Sequence, residues 1–230
     1  MSDLKKFRKV FSEKELRVFE ALDKPWKIQW FLDNKLSYNK GDECFSPKMV
    51  LKFRMAACFD GALFAAAVLR FHGFKPLVIG LRAVEDEDHI LAVFKSNGRW
   101  GSIGKSKFFG LRFRDPVFKS IRELALSYFN NYFNYNGKKT LREFSVPLNL
   151  SVFDKDSWMN SEKPLWFIGE KLDKTPHKKV LDKKSISHLS KVESLRLKSE
   201  ITVLPSGKRD RKKVLDYSKK FVLPKSFAGL

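Results

Sequence analysis

Cys58 and His89 are the residues of this chain whose types and setting best suit covalent chemistry on a carbonyl carbon. Cys58 opens the run CFDGALFAAAVLRFHG, whose apolar residues fall on nearly all sides, the pattern of a buried helix. At a helix start the orphan backbone N–H groups and the helix dipole favour a thiolate, lowering its pKa from about 8.5. The same N–H groups can stabilise the oxyanion formed when sulfur attacks a carbonyl. A histidine on a neighbouring strand supplies the base, taking the thiol proton and later returning one to the leaving group. Each residue alone has a plainer reading: a cysteine among alanines is a small hydrophobe, and a strand histidine is a satisfied core or surface residue. Cys44, in a polar segment, reads as structural. A zinc site from Cys44, Cys58, His72 and His89 lacks paired-ligand spacing, so neither a metal nor a cofactor is expected.

The elements around the pair are legible as a series. Ser12 and Glu15 have capping-box spacing before a short amphipathic helix, and Pro25 opens a second helix carrying Trp26 and Trp30 on one face and Ile28 and Phe31 on an adjoining one. The polar stretch SYNKGDECFSPK breaks the pattern. The Cys58 helix then closes at Gly73. PLVIGLRAV is a buried strand, an acidic loop Glu85–Asp88 follows, and HILAVFK is a strand that His89 begins. Asn97-Gly98 is a hairpin turn and RWGSIG a third strand. Asp115-Pro116 reads as an N-cap and first helical position, with a helix running from Val117 past Phe133 to Asn136-Gly137 and packing on the sheet.

The stretch AACFDGALFAAAVLRFHGFKPLVIGL resembles the nucleophile segment of transglutaminase-like cysteine proteins, in which a cysteine opens a helix that ends in glycine before a strand. DHILAVFKSNGRWGSIG is similar to that family's second block: a histidine starting a strand, a turn, then a tryptophan-bearing strand. The likeness covers about Met55 to Ser106, and the chain as a whole resembles a group of bacterial proteins that carry this core without an assigned activity. It implies an α+β, papain-like fold, with the Cys58 helix packed on an antiparallel sheet and helical flanks. It also implies that Cys58 is the nucleophile and His89 the base in acyl transfer on amides or esters, as in a protease, deamidase or transglutaminase. One departure stands out. The family places an aspartate four residues after the tryptophan, to orient the histidine, and here that position is Gly104. Ser106, Ser102 and Asp115 are the candidate substitutes, whereas Asp88, adjacent on the strand, points to the opposite face.

A formal net charge of +20 over 230 residues favours polyanionic partners. No zinc-finger, RRM or helix-turn-helix pattern accompanies the charge. Five basic residues, Lys208, Arg209, Arg211, Lys212 and Lys213, form a knot that is the candidate polyanion contact. Arg112, Arg114 and Arg122 are candidates for an acidic group of a substrate. Large apolar residues thin out beyond Lys171, so the chain divides into a domain over 1–170 and a basic, weakly packed appendage over 171–230. No run approaches the ~20 apolar residues of a membrane span, and the N-terminus has no signal-peptide pattern, which makes the cytoplasm the expected location. Two readings follow: a cysteine hydrolase or acyltransferase acting on a protein or peptide substrate, or an inactive relative that binds nucleic acid or an acidic protein. The intact Cys58 and His89 favour the first, the missing carboxylate the second.

Overall fold

The computed structural model describes residues 3–41 and 43–202. Helices α1 (Asp3–Val10), α2 (Glu13–Ala21) and α3 (Pro25–Lys35) lead the chain. The capping box forms as expected: Ser12 Oγ accepts from the Glu15 N–H while Glu15 accepts from the Ser12 N–H. Pro25 holds the first turn of α3. The polar stretch that follows carries more order than its composition suggests. In it β1 (Ser37–Tyr38) pairs in parallel with β2 (Met55–Ala56), and between them lies α4 (Pro47–Phe53), capped by Ser46 Oγ with Pro47 at its start. The Ser-Pro start signal of α4 was present in the sequence, but seven residues are too few to show a periodic face.

Helix α5 (Cys58–Phe71) is buried along nearly its whole length, from Asp60 to Arg70. Gly73, at φ +85°, supplies the left-handed residue just beyond its end. The four strands β3 (Leu77–Ala83), β4 (His89–Ser96), β5 (Arg99–Ile103) and β6 (Arg114–Phe118) form an antiparallel meander. Asn97 and Gly98 both have positive φ, the turn geometry whose twist matches the strands it joins. On the other side of β3 lies β7 (Leu141–Ser145), while the short β8 (Leu148–Asn149) pairs with the start of β3. The order is β6-β5-β4-β3-β7-β9, where β9 is His177–Lys179.

Strict alternation makes this sheet a partition between two apolar layers. Val78, Ala92 and Phe94 face α5 and the N-terminal helices, whereas Ile79, Leu81, Leu91 and Val93 face α6 (Ile121–Tyr128). The protein is thus α+β with an antiparallel sheet.

Two expectations are corrected. Asp115 and Pro116 do not start a helix; they lie in β6, and α6 begins after Ser120, whose Oγ accepts from the Glu123 N–H. A proline is tolerated there because β6 ends the sheet, so no further strand needs its N–H. The helical spacing of Ile121, Leu124, Ala125 and Tyr128 holds, but Val117 belongs to the strand and is exposed, and the helix ends at Tyr128 rather than near Asn136-Gly137, with Phe133 bridged to Lys139. The second correction concerns the boundary at 171. It cuts α7 (Trp166–Asp173), whose Leu172 packs in the α5 layer. Beyond it, β9 pairs with β7, Val180 joins the α6 layer, and Val192 and Leu197 pack with Phe133. The chain continues through α8 (Lys183–Ser187) into α9 (Ser194–Thr202). Residues up to 202 therefore belong to the body; the basic knot at 208–213 lies outside the described residues.

Candidate active site

Cys58 occupies the first position of α5. The N-cap residue, Ala57, has no side-chain acceptor, so the first amides of the helix are left for other partners. The Phe59 N–H donates toward the Cys58 sulfur, and so does the Ile90 N–H from β4. Cys58 as a residue is partly buried. Behind it, Asp60 ties down the surrounding loop: its carboxylate accepts from the Ala57 N–H (2.9 Å), the Phe45 N–H (2.8 Å) and Asn39 Nδ2 (3.4 Å). Burial raises the Asp60 pKa, and these three donors act against it. The β1–β2 pairing brings Tyr38 beside the thiol, and burial raises that phenol above its usual range.

Burial pushes the Cys58 thiol up to about 11, with the Asp60 and Glu87 carboxylates pushing the same way and the Ile90 and Phe59 amides opposing. The helix-start effect is therefore present but outweighed, and the resting residue is a thiol near neutral pH. Cys44, buried, is pushed up to about 12.

His89 is the first residue of β4 and is buried. Its Nε2 lies 2.8 Å from the Leu111 carbonyl oxygen. A carbonyl can only accept, so Nε2 carries the hydrogen and Nδ1 is the basic nitrogen of the neutral ring. Among the described residues Nδ1 has no hydrogen-bond partner. Burial lowers the His89 pKa to about 4, against the raising influence of the Leu111 carbonyl.

Gly104 lies beside the His89 ring. A Cβ placed there would be 3.1 Å from His89 Nε2, but also 2.5 Å from Leu91 Cδ2. What holds Nε2 is the backbone of the turn Phe109–Leu111, through the Leu111 carbonyl. The candidate substitutes are engaged elsewhere: Ser102 Oγ pairs with the Tyr128 hydroxyl (2.7 Å), Ser106 Oγ accepts from the Phe108 N–H, and Asp115 is exposed on β6.

The supporting shell is dense. Gln29 of α3 makes two hydrogen bonds to the Gly104 backbone, at 2.9 and 3.1 Å. The buried Lys105 Nζ donates to the Leu32 and Leu36 carbonyls at the end of α3. The turn that bears Leu111 is held by Arg114, which donates to the Gly110 carbonyl, and by Glu200 of α9, which accepts from the Gly110 N–H. Arg112 donates to the Ser106 carbonyl and pairs with Asp33, and Arg122 donates to the Lys179 and Val180 carbonyls. All three arginines serve the framework rather than a substrate. The Leu111 carbonyl, Gln29, Lys105 and Glu200 carry no motif and were not legible as site residues.

Cys58 and His89 thus converge on the start of β4, yet from different sides. The ring lies against Leu91 and Gly104 on the α6 side, while the sulfur reaches the Ile90 amide from α5. No hydrogen bond joins them among the described residues. His72, at the far end of α5, bonds to the Phe19 carbonyl, which separates it from the other members of the zinc set. No cluster of three metal-ligating side chains occurs among the described residues, and no described helix is long and apolar enough to cross a membrane. The chain matches no protein-family model, and no curated protein matches it significantly.

Proposed function

We propose that the protein is a cysteine-dependent acyl hydrolase or acyltransferase of the transglutaminase-like, papain-related type, with Cys58 as nucleophile and His89 as base. The supporting observation is a thiol at the first position of a buried helix, beside the amide of Ile90, whose neighbour on the strand, His89, has its Nε2 held and its Nδ1 unpaired. Both groups rest neutral, so the chemistry is general-base catalysis rather than attack by a standing thiolate. In the reacting state the start of β4 brings His89 Nδ1 round to the sulfur, which leaves the Ile90 amide and adds to the substrate carbonyl carbon as its proton passes to that nitrogen. The carbonyl oxygen becomes an oxyanion facing the first amides of α5. Collapse forms the thioester and expels an amine or alcohol, protonated by His89. Water, or a second amine, then attacks the thioester with His89 again taking its proton.

The neutral, unjoined pair and the absence of a carboxylate at Gly104 favour a second reading, a retained fold that binds without catalysis. Incubation with an activated acyl ester, followed by mass spectrometry of the intact chain and its peptides, separates the two. The first reading expects one acyl group on Cys58 that is lost on standing and absent from Cys58→Ser. The second expects no more acylation of Cys58 than of a free thiol.

A further inference from the structure

Independently of Cys58, the geometry points to a binding groove for single-stranded nucleic acid between α2 and α3, with Trp26 and Trp30 as its stacking platform. Large apolar side chains of α3 divide sharply: Ile28 and Phe31 are buried, whereas Trp26 is 57% exposed and Trp30 49% exposed. Lying four residues apart, the two indoles stand one above the other on a single face. They line a groove of about 550 Å³ whose other walls include Arg17, Lys27, Lys35 and Arg54. No acidic residue lines it.

The cations alternate with the rings rather than standing apart from them. Lys27 Nζ lies 5.9 Å from the Trp26 ring centre, Lys35 Nζ lies 5.2 Å from that of Trp30, and Arg54 covers the Phe31 ring at 5.4 Å. Lys27 is neutralised by Asp23 at 2.7 Å, but Arg17, Lys35 and Arg54 have no carboxylate partner among the described residues. Exposed indoles cost hydration of apolar surface, and the groove gathers cations that have no carboxylate partner among the described residues; a ligand with flat π-faces and regularly spaced anionic groups meets both. Single-stranded nucleic acid has that composition, and aromatic platforms interleaved with cations are how such strands are held without sequence readout. A membrane surface would instead meet a protruding apolar edge, with cations set behind it at headgroup level. Here the rings line a concavity and the cations lie over their faces.

The test uses the full chain at physiological ionic strength and a fluorescein-labelled oligothymidylate of about a dozen nucleotides. Anisotropy should show saturable binding, accompanied by quenching of tryptophan fluorescence. Trp26→Ala with Trp30→Ala should weaken binding by ~10-fold or more, while Trp166→Ala, which removes another exposed indole, should leave it unchanged. Arg17→Glu with Lys35→Glu, a pair that alters no ring, should also weaken it and flatten its salt dependence. Undiminished affinity in both double variants would overturn the proposal and shift attention to the basic knot. So would absence of oligonucleotide binding at this salt, or tryptophan-dependent binding only to phosphatidylserine vesicles.

Discussion

At the level of single residues, the imidazole of His89 is held by a backbone carbonyl, with Gly104 rather than a carboxylate beside it. A carbonyl bond fixes the tautomer of His89 as a carboxylate would, but it brings no charge to stabilise an imidazolium. This explains why burial wins and the His89 pKa falls to about 4. Introducing a carboxylate should reverse the balance. Gly104→Asp combined with Leu91→Ala, which clears the Leu91 contact, is expected to raise the His89 pKa, read by NMR titration of the ring. The same shift has a consequence for stability. The folded state resists a proton that the unfolded chain accepts below about 6.5, so stability should fall as pH drops from about 6.5 to about 4 and then level off. The loss from this group is up to about 3 kcal/mol and should shrink in His89→Gln, as denaturant titrations across that pH range would show. Cys58 and His89 could be named from their types and order. Their protonation states could not, because they depend on how deeply two distant segments bury them.

At the level of elements, the site is positioned by contacts that no local pattern encodes. Local signals did give α2, α3, α5 and the β3–β5 meander, since caps, Gly73 and the Asn97-Gly98 turn act over a few residues. They failed at Asp115-Pro116, where a helix-start pair sits in an edge strand because pairing with β5 outweighs local preference. The Gln29 and Lys105 bonds join segments about 70 residues apart and are visible only after folding. Lys105→Met should leave two carbonyls at the end of α3 without their donor and cost about 1–3 kcal/mol, measured by denaturant titration. Gly61→Ala attacks the same junction from α5. Its Cβ would lie 2.6 Å from Lys105 Cβ, which is anchored close to the backbone and cannot swing aside, so this variant should lose about 1–3 kcal/mol as well.

At the level of the whole molecule, thinning of large apolar residues suggested an appendage after Lys171, yet chain length and composition cannot reveal that a three-residue strand completes a sheet. Leu172, Val180, Val192 and Leu197 are each nearly fully buried. Burial of one such side chain contributes roughly 1.5–3 kcal/mol, so truncation at 171 should remove cooperative melting, as thermal denaturation would show. The proposed catalysis depends on His89 acting as base for a Cys58 thiol that is neutral at rest. The most direct test is the pH dependence of Cys58 acylation by an activated ester, in the intact chain and in His89→Ala. With His89 already neutral above about 4 and the thiol ionising near 11, acylation of the intact chain should be nearly independent of pH between about 5 and 10. In His89→Ala only the thiolate remains to react, so the rate should be far lower near pH 7 and rise about tenfold per pH unit. Superimposable profiles for the two proteins would contradict the account.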